Sequence, residues 1–249
     1  MLGQLIWWTS ITLEIVLLAR GFYNRLMYRY PIFYSYITLV LLQDIARLSA
    51  YHLKFSLYKP VYWGTEFTGL VFGSLIVFEI YKVSLAAFPG AAHMTRNALA
   101  TVFVIALVKG LLDASAGWQP ASAAPEIERA LRAVQAAAIL ALVALFLLYS
   151  IPFGRNLRGI LLGYGLFVGE RVICLTFVSL QTHNFWFYAY SASYIGALSL
   201  WIGYLWSYQP NPQPRAGGTN LDDEYQRIAT ATQRWLQGMR GYLRREVRS

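Results

Sequence analysis

The chain carries little charge. Of its 249 residues, 13% are Asp, Glu, Lys or Arg, where a soluble domain usually carries about 25%. With 57% hydrophobic residues and a mean hydropathy of +0.43, that deficit excludes an ordinary soluble globule. Cysteine is nearly missing: Cys174 is the single one, so no disulfide can form within the chain. Histidine is scarce as well. His52 and His183 fall at outer helix ends and His93 in an inner loop, so they cannot share one metal. There is no phosphate-binding P-loop and no serine-hydrolase elbow. The last apolar stretch has no Lys, which leaves a retinal Schiff base without an attachment point. No basic region precedes the first charge, Glu14, so the N-terminus does not read as a cleaved signal peptide. The expectation is a protein that is not an enzyme and has no cofactor and no metal.

Long apolar runs are abundant. Seven stand out, at residues 4–19, 31–50, 61–81, 97–112, 130–149, 159–180 and 185–208. Each approaches the roughly 20 residues that cross a bilayer as a helix. The expected fold is all-α: a polytopic membrane protein, a seven-transmembrane-helix bundle with a C-terminal amphipathic helix. Residues 1–208 form the transmembrane domain, 209–218 a Pro/Gly linker and 219–249 a basic amphipathic helix.

Lys and Arg set the orientation. They gather in the first, third and fifth loops and in the tail, which places the N-terminus outside and the C-terminus in the cytoplasm, at the inner membrane. Trp7, Trp8, Trp63, Trp118 and Trp186 then lie near the outer interface. Tyr30, Tyr34, Tyr81, Tyr149 and Trp206 lie near the inner one. The net charge of +9 fits loops facing an anionic leaflet rather than nucleic acid.

In the tail, Leu221, Tyr225, Ile228, Trp235, Met239 and Tyr242 follow alternating steps of four and three, with Thr232 filling the gap in the series and Arg on the other face. That pattern reads as a helix lying on the inner leaflet. Arg227, Arg234, Trp235, Arg240, Arg244 and Arg245 are the expected membrane-surface contacts, with the bilayer and its anionic lipids as partners. Small residues recur at packing spacing: Gly69 with Gly73, Gly159 with Gly163, and Gly165 with Gly169. Such pairs let helix backbones approach, within the chain or in a homo-oligomer.

The most informative charges are the buried ones. The sixth stretch is apolar apart from Glu170 and Arg171. Adjacent helix residues point about 100° apart, so each needs a partner from elsewhere, and the other helices are expected to wrap around this one. By the helix rise, Glu14, Asp44, Glu170 and Arg171 fall near mid-bilayer. Lys109 lies somewhat outward, and Arg47, Glu66 and Asp113 further out. Asp44–Arg47, Glu79–Lys82 and Lys109–Asp113 have the spacing for pairs within one helix. Arg171 is expected to pair with Asp44. The polar core of Glu14, Asp44, Arg47, Glu66, Lys109, Asp113, Glu170 and Arg171 is a candidate ligand site or ion pathway, because ionisable groups in a membrane are functional candidates by default. The leading expectation is a receptor- or sensor-like bundle whose outward-leaning polar core holds a small-molecule ligand. The alternatives are a small proton-coupled transporter and a non-catalytic subunit of a larger membrane complex.

Overall fold

The computed structural model describes residues 2–53, 55–86, 88–115, 120–149, 154–177 and 183–210, with residues 227, 230, 231 and 234 in the tail. Among them there are seven α-helices and no strand. They are α1 (Leu2–Tyr23), α2 (Pro31–Leu53), α3 (Phe55–Ser84), α4 (Pro89–Ser115), α5 (Pro120–Tyr149), α6 (Arg155–Phe177) and α7 (His183–Tyr204). Three of them contain segments long and apolar enough to cross a membrane: Gly3–Tyr23, Gly64–Ser84 and Ile127–Leu147.

Proline explains where several helices start. α2, α4 and α5 each begin on one, where its missing N–H costs nothing and its fixed φ already suits a helix. Proline also explains where the sequence misleads. Pro60 and Pro125 look like helix stops, yet α3 and α5 run through both. Each gives up one backbone bond. α3 and α5 are therefore longer than their apolar runs, and Glu128 is a helix residue. α4 likewise takes in His93 and Arg96, so His93 lies on a helix and not in a loop. A left-handed residue, Arg25 at φ 54°, ends α1 where glycine is the usual choice.

Six helices close a ring in the order α1, α2, α3, α5, α6, α7, and α4 packs against α5 and α3. The expectation that α6 forms the hub is corrected. Its main neighbours are α5 and α7, with a lighter contact to α3. It is one wall of the ring because its glycines admit α7 along one side.

Side-chain register gives the helix directions. Residues near 32 meet Glu79, and Arg47 meets Glu66, so α2 and α3 are antiparallel. Ser74 meets Gln135 and Tyr81 meets Ala138, so α3 and α5 run the same way. Arg171 and Tyr164 meet Glu128 and Gln135, so α6 opposes α5. Glu14 and Asn24 meet Tyr194 and Trp206, so α1 and α7 agree. The chain therefore begins at one end of the bundle, here the amino end, and α7 finishes at the other, the carboxyl end.

Toward the carboxyl end, large rings pack against glycines. Trp201 is fully buried; its indole N–H donates to the Ile160 carbonyl at 3.3 Å, and Phe33 meets it edge-on at 5.1 Å. Gly163 lies under that indole and Gly159 under Tyr204, and a Cβ at either position would overlap the ring. Gly73 makes room for the Tyr164 hydroxyl in the same way. Gly69 and Gly165 have ordinary contacts, and Gly169 faces open space. Tyr30, Tyr34 and Tyr81 are buried in the bundle. Their rings fill space between helices.

Candidate functional site

Toward the amino end, five charged side chains from four helices share their partners. Glu66 on α3 accepts from Arg47 of α2 at 3.2 Å and from Arg171 of α6 at 3.5 Å, and Arg132 of α5 comes within 3.7 Å. Glu128 takes two bonds from Arg171, at 2.7 and 3.2 Å. Arg132, one helical turn further along α5, lies 3.8 Å from that carboxylate. Both acids thus serve more than one guanidinium, which a carboxylate can do because its two oxygens offer about four lone-pair directions. The two-pronged Arg171–Glu128 contact is the strongest geometry in the set.

Aromatic faces complete the lining. Tyr62 lies beneath Arg47 at 5.0 Å, Tyr190 beneath Arg171 at 4.7 Å and Phe167 beneath Arg132 at 5.1 Å. Arg47 also bonds the Thr65 hydroxyl at 2.8 Å. Below the network, the buried Gln135 ties three helices together. Its amide N–H groups reach the Leu70 carbonyl and the Ser74 hydroxyl, and its carbonyl accepts from Tyr164 at 3.1 Å.

Of the candidate residues, Arg47, Glu66 and Arg171 come together, while Glu14, Asp44 and Glu170 make no ion pair with them among the described residues. Arg171 does not pair with Asp44. α6 lies beside α5 and not beside α2, so Glu128 is within its reach. Arg47 turns to Glu66 across the helix boundary instead of to Asp44. Asp44 acts on Arg47 and Glu66 through space, with no hydrogen bond or ion pair among the described residues. Glu170 accepts from the Cys174 thiol and from Ser193 of α7. Glu14 is fully buried and accepts from Tyr194 at 2.6 Å, while its second oxygen has no partner among the described residues. Lys109 is exposed on α4. The Asp113 side chain lies outside the described residues, as do Trp235, Arg240, Arg244 and Arg245. Arg227 and Arg234 are described, helical and exposed.

Glu79 does not pair with Lys82 either. Its carboxylate accepts the backbone N–H groups of Ile32 and Phe33, at 2.9 and 2.8 Å. The first turn of α2 has unfilled donors and positive dipole there, which draws a carboxylate more strongly than an exposed Lys does.

The sequence reading missed Glu128, Arg132 and Gln135. A signal was present: they stand at i, i+4 and i+7, one helical face, in an otherwise Ala- and Leu-rich stretch. No established protein family matches the chain, and no curated protein or solved structure shows significant similarity to it. The site is therefore argued on its chemistry alone. Guanidinium groups hold their protons at any physiological pH, so this network suits binding and orientation better than proton relay.

Proposed function

We propose that the chain is a seven-span integral protein of the cytoplasmic membrane, with its N-terminus outside, acting as a receptor-like bundle whose polar core binds a small ligand. The observation that carries this reading is the shared network of Arg47, Glu66, Glu128, Arg132 and Arg171. It joins α2, α3, α5 and α6, so a ligand that competes for any one of these groups changes contacts on all four helices. A bundle held by exchangeable ion pairs has the means to rest in two arrangements and be shifted between them. The orientation rests on the Lys and Arg bias of the loops and tail.

The test has two arms. In a Cys174→Ser background, cysteines placed at Asn184 and Asn211 are labelled from opposite faces of the membrane; labelling from one face overturns the topology. Native mass spectrometry of the detergent-purified chain should show a bound small molecule that is lost in Arg47→Gln. Retention of the molecule in that variant removes the network as its site.

A proton-coupled carrier is the second reading, and Glu14 favours it: a fully buried acid with one hydroxyl donor and, among the described residues, no partner for its second oxygen. Proteoliposomes carrying an internal pH dye would show acidification that Glu14→Gln abolishes. For residues 219–249 the reading is a surface helix on anionic lipid, tested by salt-sensitive binding of that peptide to anionic vesicles.

A further inference from the structure

Within the network three guanidiniums meet two carboxylates. Among the described residues, the other acids nearby do not fill the gap. Glu170 is engaged by Ser193 and Cys174, Glu14 by Tyr194, and Asp44 reaches Arg47 only through space. Arg132 shows the deficit most plainly. Its side chain is 3% exposed, and its Nε–H, 3.8 Å from the Glu128 carboxylate, has no hydrogen-bond acceptor among the described residues, which is costly for a buried charged donor. Arg47 and Arg171 are partly open, at 17% and 14%. Each has one face on a tyrosine ring, so a ligand would meet guanidinium edges, where the N–H groups point.

Resting on the receptor-like reading above, we infer that the network binds a small carboxylate, a monoanion that supplies the missing negative charge and oxygen acceptors to Arg47, Arg132 and Arg171. Planar carboxylate oxygens match the guanidinium fork two at a time. One added charge balances the five-residue set, whereas a phosphate dianion overshoots it. Asp44 then serves as the built-in competitor: its charge occupies the field that the ligand needs.

The experiment uses the full purified chain at constant pH and ionic strength, with sodium acetate replacing sodium chloride. Thermal unfolding is followed by tryptophan fluorescence, and binding by titration calorimetry. Acetate should raise the melting temperature saturably, by on the order of 5 °C at a hundred times its Kd. Arg47→Gln should weaken binding about tenfold or more, the loss of one charge-assisted bond, and Asp44→Asn should tighten it. A parallel arm offers oleate in nanodiscs. Binding of oleate together with acetate keeps the carboxylate and shows that the bilayer can supply it; binding of acetate alone restricts the source to water-soluble acids. The inference is overturned by an equal shift in chloride, by a phosphate shift larger than acetate's, or by a response untouched in both Arg47→Gln and Asp44→Asn. A flat titration in a chain whose cysteine labels lie on opposite faces removes the carboxylate and leaves the seven-span reading standing. Labels on one face remove that reading whatever acetate does.

Discussion

Glu66 and Glu79 stand on the same helix and do opposite work. Near the amino end, Glu66 is shared among three arginines of three other helices. Near the carboxyl end, Glu79 meets no cation within bonding distance among the described residues and instead caps the backbone of α2. The neighbouring residues follow the same division. At the carboxyl end, Asn156 holds the end of α7 through the Tyr204 and Ser207 carbonyls, and Arg155 bonds the Gly203 carbonyl. Arg20 stacks on Trp206 at 3.6 Å. Polar groups there complete helix ends, which are fixed demands. Polar groups at the amino end complete one another, and that arrangement can be exchanged. On the proposed receptor-like reading, the exchangeable half is where a ligand would have leverage.

The largest effect should come from Glu66→Gln. It removes the one charge shared by three guanidiniums and leaves them buried with Glu128 alone. Uncompensated buried charge costs on the order of 3–5 kcal/mol. Thermal or denaturant unfolding in detergent should show a loss of that size. A loss below about 1 kcal/mol would mean that the guanidiniums are satisfied without Glu66.

Next is the coupling across α5 and α6. Arg171→Leu and Glu128→Leu should each destabilise strongly, while the double change recovers much of the loss, with an interaction energy of about 2–3 kcal/mol. The same cycle between Arg171 and Asp44 should be additive to within roughly 0.5 kcal/mol. Strong coupling to Asp44 would contradict the described pairing.

That contrast shows how much of the molecule was legible in its sequence. The seven helices were, because apolar runs of spanning length have few alternatives. Arg171 was recognisable as a charge that needs a partner from another helix, and Arg47 and Glu66 as members of the polar core. Which partner each takes was not, because depth along a helix constrains only one coordinate. Arg171 and Asp44 match in estimated depth, yet the ring order α1, α2, α3, α5, α6, α7 sets α6 beside α5. Glu128 was passed over because the fifth apolar run reads as starting at residue 130, whereas α5 begins at Pro120; Arg132 lies inside that run but was not singled out. Glu79 shows another limit. Its Lys82 neighbour is visible in the sequence, whereas the open N–H groups of α2 become its partner only in three dimensions.

At the carboxyl end the effects should be smaller. Glu79→Gln keeps one oxygen for the α2 backbone but turns an amide N–H₂ toward the second N–H. The loss of a charge-assisted cap should cost about 1–2 kcal/mol. Because the fault is confined to one helix start, hydrogen exchange should rise in the first turn of α2 and not around Glu66. Equal loosening at both ends would merge the two regions into one cooperative unit.

The smallest expected effect separates packing within the chain from association between chains. Gly163 and Gly169 belong to the same small-residue series on α6. At Gly163 an added Cβ would enter the Trp201 ring, so that glycine is spoken for by α7. At Gly169 a Cβ meets nothing within 4 Å. Gly169→Ala should therefore change the stability of the monomer by less than about 0.5 kcal/mol, and alanine's better helix propensity works in its favour. If another copy or another membrane protein packs on this stripe, the added methyl blocks close approach and the change appears in association instead. Melting of the purified chain and cross-linking in membranes should thus be read together. An unchanged melt with weakened cross-links assigns Gly169 to an interface, and unchanged values in both leave it facing lipid. A melt lowered by more than 1 kcal/mol would show a neighbour within the chain where the structure has open space.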